Sequence, residues 1–317
     1  IDFLDAKLIT TPALKVGIRL LDVDINLPDG DKLLDTPCII AKLSIPRLFL
    51  LNVKLTDVMV YKPVLYFNVS NNGYKPVKAI EGKLYDIEKE KNLDSISKKE
   101  GFNFLSLIRY NAPNINIIDY RLITKDEKTN DYLLLRGDTL KAAYLNRKRA
   151  KLKTKSSLYL NDEKNIDFDI DINTFIPKKG ELDSEDDPAV RAEVPFINPV
   201  LTYKNYDPKG VISAKLKLDE ANNGIKGQGY FFVDGVSFNI NGYKLPKSYL
   251  KASFLGSKTY FGSDIAIKED QHLKLNGWIK NKFRPDFDLK ILSDGIYFND
   301  IITLSKALLD SLGIENN

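Results

Sequence analysis

The residues of this chain that could do chemistry are few and poorly arranged for it. His272 is the only histidine, which excludes a metal site built on several imidazoles. It stands with Asp270 and Gln271 in a polar turn ahead of Leu273-Lys274-Leu275. That setting reads as a surface position, and no Gly-x-Ser-x-Gly elbow supplies a serine for it to activate. Ser95-Ile96-Ser97-Lys98 matches Ser-x-x-Lys, but Lys98 lies in a charged stretch with nothing to depress an amine's pKa. Asp167, Asp169 and Asp171 have the spacing that opens a calcium loop. Such a loop needs Gly at its sixth position and Glu at its twelfth, where this chain has Ile172 and Lys178. Gly224, Gly227 and Gly229 come in the wrong order for a dinucleotide loop, without strand–helix context. Cys38 is the only cysteine, so an intrachain disulfide and a cysteine-based metal site are both excluded. In Pro37-Cys38-Ile39-Ile40 it reads as a small buried hydrophobe. No catalytic residue, metal ligand or cofactor is assigned, and the chain reads as a non-enzyme.

The informative signal is periodic. Leu14, Val16, Ile18 and Leu20 alternate with polar residues, and the phase then flips to Leu21, Val23, Ile25 and Leu27. A period of two returns at Val53, Leu55; at Phe168, Ile170, Ile172; at Leu216, Leu218; at Leu273, Leu275; and at Phe287, Leu289, Ile291. Successive side chains of a strand point to opposite faces, so each segment has one apolar and one wet side. The three aspartates at 167, 169 and 171 then become the wet side of one such strand. With 317 residues and 43% hydrophobic content, the chain can bury a sizeable core in two units. Its 47 basic and 43 acidic residues leave a net charge of only +4. Glu88-Lys89-Glu90-Lys91 shows how the signs alternate, and so even a balance argues against nucleic acid as a partner. No run approaches the roughly 18 apolar residues of a membrane helix.

The expected fold is mainly β: curved antiparallel sheets forming an elongated apolar groove, with a few short helices. Residues 1–176 form the first unit. Pro28-Asp29-Gly30 is a turn, and Ser44-Ile45-Pro46-Arg47-Leu48 starts a short helical turn. A helical insertion near 76–109 carries Val77, Ile80, Leu84 and Ile87 at helical spacing, with a further short helix through Phe104, Leu105 and Ile108. Residues 177–193, rich in acids and broken by Pro177, Gly180 and Pro188, read as a linker. Residues 194–317 form the second unit. It is β through about residue 298, with hairpin turns expected at Asn223-Gly224, Asp234-Gly235, Asn241-Gly242 and Asp294-Gly295. Ile301, Leu304, Leu308, Leu309 and Leu312 then make one stripe of a closing helix that packs on the last strands.

Thr11-Pro12-Ala13-Leu14-Lys15-Val16 and Asp22-Val23-Asp24-Ile25-Asn26-Leu27-Pro28-Asp29-Gly30 resemble the amino-terminal module of bacterial AsmA-family proteins. The likeness continues through Lys32-Leu33-Leu34, residues 42–48 and Val58 to Asn68, and Ile115 to Tyr120 looks like the family's central strand entry. Residues 195–199, Gly210 to Ala214, Leu275-Asn276-Gly277 and Pro285 to Ile291 look like its carboxy-terminal part. The resemblance implies a membrane-anchored protein on the periplasmic face of the bacterial inner membrane, handling phospholipid and conducting it across the cell envelope. It implies an anchor that this sequence does not include, expected as a hydrophobic span upstream of Ile1. It supplies no catalytic residues.

Simple energetics agree with that expectation. An acyl chain in water costs about 0.8 kcal/mol per methylene, hence over ~10 kcal/mol for roughly sixteen carbons. A trough of apolar strand faces removes that cost without a metal, base or nucleophile. The expected lipid-lining residues are Leu216, Leu218, Phe231, Val233, Phe254, Leu273, Leu275, Leu289 and Ile291. Two other functions stay open on sequence alone. One is an envelope assembly scaffold with a closed β core that binds protein partners, and the other is an enzyme acting on envelope glycans.

Overall fold

The computed structural model describes residues 2–11, 15–44, 55–70, 73–74, 113–145, 149–175, 198–221, 224–240, 242–280 and 286–311. The expected helical turn at 44–48, the helical insertion at 76–109, the Ser95–Lys98 pair and the linker at 177–193 fall wholly or largely outside these residues. By internal contacts the chain divides into two compact units. One comprises Ile1–Lys148 with Lys179–Val200, the other Arg149–Lys178 with Leu201–Asn317. This division places 149–176 with the later strands, whereas the sequence reading grouped them with the first unit.

Among the described residues the first unit holds β1 (Asp2–Thr11), β2 (Lys15–Asn26), β3 (Lys32–Ser44), β4 (Leu55–Tyr61), β5 (Val64–Ser70), β6 (Gly73–Tyr74), β7 (Asn114–Asp126) and β8 (Tyr132–Leu145). The order is β1-β2-β3-β4-β7-β8, with β5 bonded to β3, β6 and β7. The second unit holds β9 (Arg149–Leu160), β10 (Glu163–Phe175), β11 (Lys209–Ala221), β12 (Gly224–Ile240), β13 (Tyr243–Gly256), β14 (Lys258–Lys268), β15 (Gln271–Lys280) and β16 (Phe287–Asp294), paired in chain order. Its helices are α1 (Pro199–Tyr206), which begins at the boundary between the units, and α2 (Phe298–Ser311).

The protein is therefore mainly β with few helices, and its sheets are curved and mixed. Antiparallel pairing has three exceptions among the described residues: β4–β7, β5–β7 and β10–β11 run parallel. Parallel neighbours need a long return connection. The two longest segments without strand patterning, between β6 and β7 and between β10 and β11, lie where such returns are required.

A crease crosses the first unit. Asp22 of β2, Lys62 at the β4–β5 junction and Asp119 of β7 take positive φ of 48°, 47° and 52°. Asp22 lies between the pairs Leu21–Cys38 and Val23–Thr36. Tyr61 pairs with both Cys38 and Ile118, and Lys62 donates its N–H to the Ile118 carbonyl at 2.7 Å. Asp119 lies between Ile118–Thr139 and Tyr120–Gly137. The three left-handed residues thus stand in one line across neighbouring strands. The line coincides with the flip of alternation phase, from Leu20 to Leu21 and from Ile117 to Ile118. At or beyond it Val23, Thr36, Cys38, Pro63, Val69, Tyr120 and Leu133 are buried. On the near side Val16, Leu20, Ile39, Val58, Val60, Ile115 and Ile117 are only half-buried. Tyr120 closes the buried half: its ring lies so close to Gly137 that a Cβ there would fall 2.6 Å from it.

Three local expectations are corrected. Asp234-Gly235 does not turn a hairpin, because β12 runs on through it. Gly235, at φ 58°, instead sits in a bulge where the register slips between Val233 and Val236. Asp294-Gly295 ends β16 and leads into α2 rather than into another strand. Residues 199–206, expected to be β, are helical. Asn198 Oδ1 accepts the Val200 N–H at 3.0 Å and Pro199 occupies the first helical position. The turn at 28–30 occurs where expected, and Ile240 pairs with Tyr243 on either side of the expected Asn241-Gly242 turn, Asn241 and Asn223 themselves lying outside the described residues. The closing helix forms, but Ile301 of its expected apolar stripe is 42% exposed rather than packed on the last strands.

Candidate apolar lipid face

Strand register decides where the expected lining residues point. Leu216 of β11 pairs with Gly229 of β12, and Gly229 in turn with Phe254 of β13. The same row continues through Thr259, Ile279 and Phe287. Two residues along the strands a second row runs Ala214, Phe231, Ala252, Phe261, Gly277, Leu289. A third runs Ile212, Val233, Leu250, Ser263, Leu275, Ile291. Leu218 extends the first row's end of β11, and Leu273 sits opposite Ile265 beyond the third. Residues directly opposite, or two apart on one strand, share a face. All nine expected residues therefore lie on one face of the second unit's sheet. β10 prolongs it, since Ile172, Ile170 and Phe168 are in parallel register with Leu216, Ala214 and Ile212.

This face is built in two heights. The small residues Ala214, Ala252, Thr154, Thr259 and Ser263 are buried between their larger neighbours. The large side chains above them are not. None of the nine expected residues is buried, and Leu289 and Ile291 expose 39% and 67% of their surface. Val236, Ile240, Ala266, Ile267 and Gln271 are also buried, where β12 ends and β15 begins. The large apolar side chains of this face thus stay partly open to solvent along the strands. Five strand spacings from β11 to β16 give it a width of about 24 Å.

The other face of β9 and β10 is a charge ladder. Lys155 meets Asp169 at 3.2 Å, and Lys153 and Lys151 meet Asp171 at 3.6 and 3.9 Å. Asp167 is bonded to Ser157 and Lys164; burial alone would raise its pKa, but those two bonds bring it below the usual carboxylate range. Its spacing with Asp169 and Asp171 thus serves cross-strand pairing. Among the described residues no group of three or more His, Cys, Asp or Glu could hold a metal ion.

His272 lies in β15 rather than in the turn before it. Its Nδ1 stands 2.6 Å from Asp264 Oδ1 and its Nε2 3.1 Å from the Glu269 carbonyl. Both ring nitrogens face acceptors, so the protonated ring is favoured and its pKa is raised, mainly by the Asp264 bond. With both ring nitrogens engaged in this way, the side chain ties β15 to Asp264 of β14 and to the turn at Glu269.

Sequence reasoning missed Ile212, Leu250, Phe261, Ile279 and Phe287 on the same face. Each alternates correctly within its own strand, but only the inter-strand register shows that they join the nine. Among the described residues no helix is long and apolar enough to cross a membrane. No protein-family model matches the chain, and no curated protein matches it.

Proposed function

We propose that this chain is a non-catalytic module that binds and conducts phospholipid acyl chains along the apolar face of β10–β16, on the periplasmic side of the inner membrane of a bacterial envelope. One observation carries the binding: nine large apolar residues converge on a single sheet face and all remain partly open to solvent. A sheet whose only task is structural covers such a face, because each large side chain left exposed forgoes about 1.5–3 kcal/mol of burial. An acyl chain laid across the rows supplies that cover, and the small residues between the large ones leave room for it. The envelope placement rests on the AsmA-like pattern of residues 11–70 and its later echoes.

The test is site-specific photocrosslinking in bacterial cells. A photoreactive amino acid at Phe254 or Leu275 is expected to yield phospholipid adducts, and one at Lys153 or Lys155 on the charged face of β9 is not. Lipid extraction and mass spectrometry of the purified protein should recover phospholipid. Protein adducts at Phe254 and Leu275, with no lipid recovered, would identify an assembly scaffold instead.

A further inference from the structure

The wet face of the second unit changes character from one side to the other. On β9 and β10 its lysines meet aspartates in the ladder described above. From β11 to β16, over the half that ends in the β11–β12 and β13–β14 hairpin tips, the balance is lost. One row there reads Lys217, Gln228, Leu255, Lys258, Lys280, and the next Lys215, Tyr230, Ser253, Tyr260, Trp278, Asp288. A third reads Ser213, Phe232, Lys251, Gly262, Asn276, Lys290. Lys226 opposite Asp219 completes the patch. Its acids are Asp219, already held by Arg149 and Lys217, Asp286, held by Lys280, and Asp288. The acids at 234, 264 and 294 lie toward the other end of the same strands.

This patch also carries amphipathic aromatics. Lys258 Nζ lies 4.1 Å from the centre of the Trp278 ring. Tyr230 and Tyr260 are about two-fifths exposed and Leu255 64% exposed. Tyr and Trp favour the headgroup level of a bilayer, an exposed Leu enters the acyl boundary beneath it, and Lys can reach back to phosphate. An anionic polysaccharide would satisfy the lysines and stack on the rings, but it gives an exposed leucine nothing to enter.

We infer that the cationic aromatic strip on the wet face of β11–β16 docks on the surface of an anionic lipid bilayer. The contact would bring the hairpin end of the sheet to the membrane, where the apolar face on the other side is open. Docking needs no lipid in that apolar face, so either can fail without the other.

Trp278 is the only tryptophan, so its fluorescence reports this surface directly. Vesicles containing phosphatidylglycerol are expected to shift its emission to the blue, and lipids brominated near the headgroup should quench it. Neutral phosphatidylcholine vesicles should do neither, and 0.5 M salt, roughly threefold above physiological ionic strength, should reverse the shift. The double substitution Lys226→Glu and Lys251→Glu should weaken vesicle partitioning by more than about 25-fold, from about fivefold per lysine removed. Both positions are exposed and in no ion pair among the described residues, and circular dichroism checks that the fold persists. No shift with anionic vesicles, an equal shift with neutral ones, or a shift with soluble anionic polysaccharide alone would overturn the inference.

Discussion

His272 shows how a single polar contact sets a measurable property of this protein. Its partners are Asp264 and the Glu269 carbonyl, while Lys274 on the same strand opposes its charge. Asp294, directly opposite on β16, is bonded to Lys274 and is held below the usual carboxylate range by it. The raised pKa of the folded state means that the native protein binds the proton more tightly than the unfolded chain. That stabilisation is complete below about pH 6.5, the unfolded value, and is lost as pH rises through the folded pKa. Thermal unfolding followed from pH 5.5 to 8.5 should therefore show a fall in midpoint that His272→Gln abolishes. An unchanged slope in the variant would show that the Asp264 contact contributes nothing. The sequence exposed the isolation of this histidine but not its partner, because Asp264 reaches it through the pairing of β14 with β15 and not through the neighbouring acid at 270.

At the scale of elements the crease of the first unit is the decisive feature. The adjacent apolar pair Leu20-Leu21 announced a change of phase in one strand; the structure explains it, and a second such pair at Ile117-Ile118, by a left-handed residue next to each. Asp tolerates that conformation better than a branched residue, whose Cβ crowds the following carbonyl. Asp119→Val should accordingly cost about 1–3 kcal/mol in chemical denaturation, whereas Asp119→Gly should be close to neutral. Equal losses in both variants would place the importance of Asp119 in its side chain rather than its backbone. Helix α1 carries a capping signal in Asn198-Pro199 that the reading of this stretch as strand did not use. Parallel pairing was not legible, since nothing local to β4, β5 or β10 records which way its neighbour runs. Gly235 illustrates the same limit: Asp-Gly allows a tight hairpin or a bulge equally, and only the partner strand decides between them.

Across the whole molecule, burial separates two kinds of apolar surface that composition cannot tell apart. The 43% of hydrophobic residues includes side chains such as Val23 and Val236, which are closed in, and others such as Leu275 and Ile291, which line an open face. Alternation in the sequence identified the apolar side of each strand, and so gave all nine residues of the candidate face correctly as one-sided. It could not say whether anything covers that side, because cover depends on contacts far apart in the chain. The two kinds of surface respond differently to the same substitution. Val236→Ser places a hydroxyl in a closed core and should cost about 2–4 kcal/mol. Leu275→Ser combined with Ile291→Ser removes more apolar surface, yet that surface is already partly hydrated in the free protein, so the pair should cost less than the single core change. If the face holds acyl chains, the same pair should lower the phospholipid recovered with the purified protein severalfold, while Val236→Ser leaves recovery per folded molecule unchanged. A larger stability loss from the open-face pair than from Val236→Ser would mean that those side chains are packed core in solution. Acyl chains would then have no surface to occupy.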